Sequence, residues 1–153
     1  MLLSILKGAA AGAAGTTALN ATTYLHMTAR GRPTSSTPED TVEKLAEVTH
    51  LRIPGQGEER DNRVAGLGPL SGIATGVGVG AVLGVIRALG WRPPVALGAA
   101  AATVLALVGA NGPMAALGIS DPRTWSLESW AADVVPHLAY GWVTAATLHG
   151  LDS

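Results

Sequence analysis

The stretch VAGLGPLSGIATGVGVGAVLGVI, residues Val64 to Ile86, decides the fold of this chain. It contains no charged residue, and a helix needs about 20 consecutive apolar residues to cross the hydrocarbon core of a bilayer. Its glycines recur at every fourth position, at Gly68, Gly72, Gly76, Gly80 and Gly84. Four residues turn a helix by about 400°, so these glycines form a shallow groove instead of scattering around the circumference. The stretch predicts a membrane-spanning helix on which another helix can pack closely.

Three further runs carry no formal charge: Gly8 to Ala29, Pro93 to Ser120 and Val134 to Gly150. We therefore predict one all-α membrane domain, residues 1–153, built as a four-helix bundle. Its predicted spans are residues 5–29, 64–89, 94–118 and 126–150, the last beginning as an interfacial helix and kinked by Pro136. The first run is rich in Ala, Gly and Thr, so it needs its neighbours to remain in the bilayer. A cleaved signal peptide is the alternative, but Lys7 follows the first leucines instead of preceding them.

The composition excludes several classes of protein. Hydrophobic residues make up 48% of the 153 residues and charged residues 14%, a balance that favours the lipid bilayer as partner. There is no cysteine, which excludes disulfides, thiolate metal sites and cysteine nucleophiles. The net charge of −1 offers no basic field for nucleic acid. The four histidines lack metal-site spacing, so we predict no metal and no cofactor.

Most of the charge lies in one segment, residues 30–63, between the first two predicted spans. Within it, Thr37-Pro38-Glu39-Asp40 is typical of a helix start, because a hydroxyl, an early proline and acids all suit that end. Val42, Leu45, Ala46 and Thr49 then follow with helical spacing. We predict a short amphipathic helix on the membrane surface, followed by a solvated connector over residues 55–63.

The distribution of basic residues predicts the orientation. In a four-span plan seven Lys and Arg residues fall on the side of the first loop and Arg123, against Lys7, Arg87 and Arg92 on the other side. Loops rich in Lys and Arg remain cytoplasmic. The first loop is therefore predicted to be cytoplasmic and both termini outside, in a multi-pass protein of the plasma membrane.

The glycine groove of the second span has two interpretations. The first is packing within the chain, because close van der Waals contact replaces the hydrophobic effect between helices in lipid. Gly8, Gly12 and Thr16 of the first span offer a complementary surface, which favours this interpretation. The second is a homo-oligomer interface, or the wall of a narrow passage.

The last predicted span carries a polar stripe. Its members follow one another at intervals of four, three, four and three residues, which places them on one helix face: Asp133, His137, Tyr140, Thr144 and Thr147. Ionisable groups at membrane depth face the bundle interior or water. The pair Asp133 and His137 has the spacing to relay a proton, whereas the alternative is interhelical hydrogen bonding. Asn20 on the first span and Asn111 on the third are the predicted partners of the stripe, with Thr16 and Thr23 beside them.

One resemblance rests on the end of the third span and on the last span. The residues are Pro113 with Leu117-Gly118, the turn at Asp121-Pro122, then Trp130, and His137-Leu138 in the last helix. These motifs, with the glycine-rich start Gly8 to Ala14, resemble the YagU-like family of bacterial inner-membrane proteins. The similarity covers about a third of the chain. It implies a four-helix protein of the bacterial inner membrane, marks His137 as a position of interest, and implies no established reaction.

The functional prediction is a non-enzymatic membrane protein that acts by helix packing, as a homo-oligomer or as an accessory subunit of a larger complex. The alternative is a small transporter or channel-like protein with a proton-linked stripe at Asp133 and His137. An enzyme is disfavoured because the chain has no G-x-S-x-G nucleophile motif and no metal-spaced residues.

Overall fold

The computed structural model describes residues 1–152 and confirms the predicted all-α class for them. Five α-helices follow one another: α1 (Leu2–Arg30), α2 (Thr37–Val48), α3 (Glu58–Ala88), α4 (Val95–Ala116) and α5 (Leu127–Gly150), with a 3₁₀ turn at Pro122–Thr124. The helices α1, α3 and α4 are long and apolar enough to cross a membrane. This confirms the prediction of a membrane protein with transmembrane helices. As predicted, α1 is the least hydropathic of the three.

The start of α3 differs from the sequence prediction. Residues 58–63, predicted to belong to a solvated connector, form the first turns of the helix. Three acids in this first turn favour the positive end of the helix dipole. Arg63 also donates to Glu59 one turn back, at 2.6 Å, and Arg60 donates to Glu43 of α2, at 2.6 Å. Local charge pairs thus extend the helix beyond its apolar part.

Three prolines lie inside the long helices without ending them: Pro69 in α3, Pro113 in α4 and Pro136 in α5. Asn111-Gly112-Pro113 does not interrupt α4, which continues to Ala116, near the predicted end of the third span at residue 118. Similarly, α5 passes through Pro136, so the predicted interfacial segment and the last predicted span form one continuous helix. Its N-terminus is capped by Ser126, whose hydroxyl oxygen accepts from the backbone N–H of Ser129 at 3.1 Å.

The long helices lie side by side, with α1 packed between α3 and α5, and α4 packed mainly on α5. At one end of the bundle, Lys7 and Arg87 both pair with Asp152. At the other end, Arg30 and Arg32 lie beside Glu128. Consecutive long helices therefore run in opposite directions.

The short helix α2 packs against the first half of α3, at the end of the bundle that holds Arg30. None of its residues is buried, and Leu45 and Val48 expose about half of their surface. The predicted amphipathic helix is therefore present over Thr37–Val48, with part of its apolar face uncovered.

Candidate functional site

The glycines of α3 meet the backbone of α1 over three successive turns. A Cβ atom added at Gly80 would overlap the carbonyl oxygen of Gly8 and the Cα atom of Gly12. One added at Gly84 would overlap the carbonyl oxygen of Ser4. At Gly76 it would overlap the hydroxyl of Thr16. The groove is thus occupied by α1 of the same chain, with two helix backbones in direct contact.

The other two glycines of the series have different surroundings. Gly68 faces Glu39 of α2, whose side-chain carboxyl carbon lies 3.1 Å from the position of an added Cβ atom. Gly72 faces open space, with nothing within 4 Å of such an atom. The regular spacing predicted one continuous groove, but only Gly76, Gly80 and Gly84 face α1, while Gly68 faces α2.

The polar stripe of α5 faces the other helices. His137, Tyr140 and Thr144 are buried, while Asp133 and Thr147 are half-buried. Tyr140 is 1% exposed, and its hydroxyl donates to the carbonyl oxygen of Gly76 at 2.7 Å. This hydrogen bond joins α5 to the glycine helix α3, a partnership that sequence analysis missed because the acceptor is a backbone atom.

The predicted partner Asn111 does reach the stripe. Its amide nitrogen donates to Asp133 Oδ2 at 2.8 Å and so joins α4 to α5. His137 Nδ1 lies 2.7 Å from the carbonyl oxygen of Asp133 and 3.5 Å from Asp133 Oδ1. A carbonyl oxygen only accepts, so Nδ1 carries the proton in this bond, and in a neutral ring Nε2 has the free lone pair.

The remaining predicted residues contribute less to this site. Asn20 is half-buried and makes no hydrogen bond to the stripe within residues 1–152. The hydroxyl of Thr16 donates to the Gly12 carbonyl of its own helix, at 2.8 Å. Thr144 is fully buried against Gly15, and over the described residues its hydroxyl oxygen has no hydrogen-bond partner. The stripe therefore connects α5 to α3 and α4 by side-chain bonds, and to α1 by packing.

Two cavities in the described part of the chain lie away from the stripe. One, of about 20 Å³, lies between α3, α4 and α5 beside Arg87 and His149. The other is an open groove of about 390 Å³ beside Arg52 and Arg63, near the start of α3. Over residues 1–152 no group of three or more His, Asp and Glu side chains has the arrangement of a metal site. Neither cavity is lined by Asp133 or His137.

A charged cluster at the far end of the bundle was not predicted. Arg87 Nε donates to Asp152 Oδ2 at 2.7 Å, and Lys7 Nζ lies 3.4 Å from Asp152 Oδ1. Burial opposes ionisation of Asp152, but its hydrogen bonds and charge interactions with Arg87 and Lys7 outweigh burial, so the pKa of Asp152 is lowered. The three residues are far apart in sequence, and only the alternating direction of the helices indicates that they share one end.

Comparison with known proteins finds no family model, no curated protein and no solved structure that matches the chain, so the resemblance to the YagU-like family stays a prediction.

Proposed function

We propose that the chain is a four-span integral membrane protein that acts by helix packing, as a homo-oligomer or as an accessory subunit of a larger membrane complex, without catalysing a reaction. The observation that carries this proposal is the use of polar groups in α5. Tyr140 bonds to Gly76 of α3, and Asp133 bonds to Asn111 of α4. Polar groups that are hydrogen-bonded to neighbouring helices stabilise a bundle, and few of their donors and acceptors remain to bind a substrate.

The geometry of α5 supports its role as the fourth span. The helix is 24 residues long, which corresponds to about 36 Å, against a hydrocarbon core of about 30 Å. Its first turn lies beside Arg30 and Arg32 at one end of α1, through Glu128. The residue Asp152, just beyond its last turn, meets Lys7 at the other end. A helix that runs the full length of a membrane-spanning neighbour crosses the same bilayer.

The proposed location is the bacterial plasma membrane, with the first loop cytoplasmic and both termini outside. Seven of the ten Lys and Arg residues lie on the side of the first loop and three on the other side, which supports this orientation. The resemblance of the last two helices to the YagU-like family supports the bacterial inner membrane. In this orientation α2 lies at the cytoplasmic surface.

The alternative is a proton-linked transporter or channel-like protein. The observation that favours it is the approach of His137 Nδ1 to Asp133 Oδ1, at 3.5 Å, on a helix face that continues through Tyr140. An imidazole beside a carboxylate is able to pass a proton. Neither of the two cavities is lined by Asp133 or His137, so the cavities provide no path for a proton to this pair.

The two functions are separated by proton flux through liposomes that contain the purified chain. We expect Asp133→Asn and His137→Ala to leave proton flux at the level of the unchanged protein, because no path passes through these residues. The matched control is His149→Ala, which removes an exposed histidine of the same helix. Flux that disappears in the first two variants, while they remain folded and His149→Ala retains it, favours the transporter and contradicts our proposal.

The packing function is tested by chemical cross-linking in native membranes. We expect the chain to be recovered in an assembly larger than one copy, either with itself or with another membrane protein. A chain that is recovered only as an isolated monomer, at its natural abundance, contradicts the proposal.

A further inference from the structure

An open groove lies where the charged part of α3 meets its apolar part. It is open to solvent and has a volume of about 390 Å³. Two of its lining residues are charged, and both are arginines, Arg52 and Arg63. Its apolar lining includes Ile53, Leu67 and Leu70. The groove thus combines a basic end with an apolar wall.

The two arginines differ in their present partners. Arg63 donates to the carbonyl oxygen of Pro54 at 2.7 Å and to Glu59 at 2.6 Å. A guanidinium has five N–H donors, so Arg63 keeps donors for a further acceptor. Arg52 is exposed and has no ion-pair or hydrogen-bond partner within residues 1–152. Arg52 therefore contributes an uncompensated positive charge at the groove.

The groove lies at a defined depth relative to the apolar part of α3. Arg63 is the last charged residue before the uncharged stretch that begins at Val64. Leu67 and Leu70 follow within seven residues, about 10 Å along the helix, and are 40% and 58% exposed. The nearby Leu51 is also exposed, at 70%. From this change of charged to exposed apolar residues we place these positions at the boundary between lipid headgroups and hydrocarbon.

We propose that this groove binds one anionic phospholipid, with the phosphodiester held by Arg52 and Arg63 and an acyl chain lying along Leu67 and Leu70. Guanidinium groups bind phosphate oxygens through paired, charge-assisted hydrogen bonds. Exposed leucines directly below them provide the apolar contact that a soluble phosphate does not use. The site lies on the side that the basic residues predict to be cytoplasmic, where bilayers carry anionic lipids. The inference rests on the membrane location of α3 and on the proposed cytoplasmic side of the first loop, and not on the proposed packing function.

The experiment measures thermal unfolding of the purified chain in a neutral detergent, by tryptophan fluorescence, as lipid is added. Phosphatidylglycerol is compared with phosphatidylcholine of the same acyl chains. We expect phosphatidylglycerol to raise the unfolding temperature in a saturable manner and phosphatidylcholine to have a much smaller effect. Arg52→Gln should require about fivefold more phosphatidylglycerol for half of the effect, because one arginine near a membrane surface contributes about this much.

A second variant fills the groove without removing charge. A Cβ atom at Gly66, a lining residue, meets nothing within 4 Å, so Gly66→Leu should fold and block the acyl-chain contact. Its control is Gly78→Leu, at an equally open position farther along α3. We expect Gly66→Leu to lose the phosphatidylglycerol effect and Gly78→Leu to retain it. Arg92→Gln, which removes an exposed arginine at the other end of the bundle, should also retain it.

Three results would overturn the inference. Equal stabilisation by phosphatidylcholine would show that the headgroup charge is not recognised. Equal stabilisation by inorganic phosphate or glycerol 3-phosphate would assign the effect to a free anion instead of a lipid. Retention of the full lipid effect in both Arg52→Gln and folded Gly66→Leu would place the binding outside this groove.

Discussion

The contact of α1 with α3 and the contacts of α5 with its neighbours hold helices together by opposite means. Between α1 and α3 the contact residues are glycines without side chains, and the backbones of Gly8 and Gly12 touch those of Gly80 and Gly84. Around α5 polar side chains are inserted, and Tyr140 bonds to a backbone carbonyl of α3. A Cβ atom added at one of these glycines disrupts the first contact. The second weakens when a hydrogen bond is removed.

Two contacts of α5 also contain a glycine without room for a Cβ atom, at Gly15 of α1, which faces Thr144, and at Gly141. Gly141 of α5 lies against Thr103 and the carbonyl of Ala99 on α4, so the α4–α5 contact also contains a position without room for a Cβ atom. Here the close approach is confined to one glycine, and Asn111 with Asp133 provides a polar bond farther along. The helix α5 thus packs both by close approach at a glycine and by polar side-chain bonds, whereas α1 and α3 pack over Gly80 and Gly84 by close approach alone.

The largest effect is expected for Gly80→Ala. The added methyl group meets backbone atoms of Gly8 and Gly12, which cannot move away without separating α1 from α3. Overpacking of a tight interior costs about 1–3 kcal/mol, and we expect the upper end of this range because no flexible side chain can yield. Unfolding by sodium dodecyl sulphate in mixed micelles measures the loss. Gly72→Ala, at an open position of the same helix, is the control, and equal losses in both variants would contradict the proposed backbone contact.

A smaller effect is expected for Tyr140→Phe. The variant keeps the buried ring and removes only the hydroxyl that donates to Gly76. Interhelical hydrogen bonds in membranes contribute about 0.6 kcal/mol on average and up to about 1.7 kcal/mol, and a buried bond of 2.7 Å belongs in the upper half of that range. The same unfolding assay applies. Tyr24→Phe removes an exposed hydroxyl and should have no effect, so a matching loss there would refute the special role of Tyr140.

The smallest effect is expected for Asp152→Asn, and it should depend on pH. Because the pKa of Asp152 is lowered in the folded chain, its ionised form stabilises the fold above the unfolded pKa of about 3.9. This contribution is lost as the pH falls through the lower, folded pKa. We expect the unchanged protein to exceed the variant by about 0.5–1 kcal/mol at pH 6, with the difference disappearing toward pH 3. A difference that grows on acidification would contradict the ion-pair cluster.

The apolar runs made α1, α3 and α4 predictable, because length and lack of charge decide insertion in a bilayer. The pairing of Asn111 with Asp133 was predictable as well, because a polar side chain on a helix face that packs against other apolar helices has few available partners. The contact of Tyr140 with Gly76 was not, because every helical residue has a carbonyl and no residue type marks the acceptor. The start of α3 at Glu58 was missed because charged residues form helix turns without an apolar pattern.

The backbone contact of α1 with α3 also bears on how the protein is made. The residues that receive Gly8 are Gly80 and Gly84, which leave the ribosome about 4–14 s later at ordinary translation rates. During that interval α1, the least hydropathic of the three apolar helices, has no partner. We therefore expect α1 to reach its final position in the bilayer only when α3 has been synthesised, so that the two helices take up that position as a pair. A nascent chain stalled before Gly80 is expected to leave α1 accessible to membrane-impermeant labels.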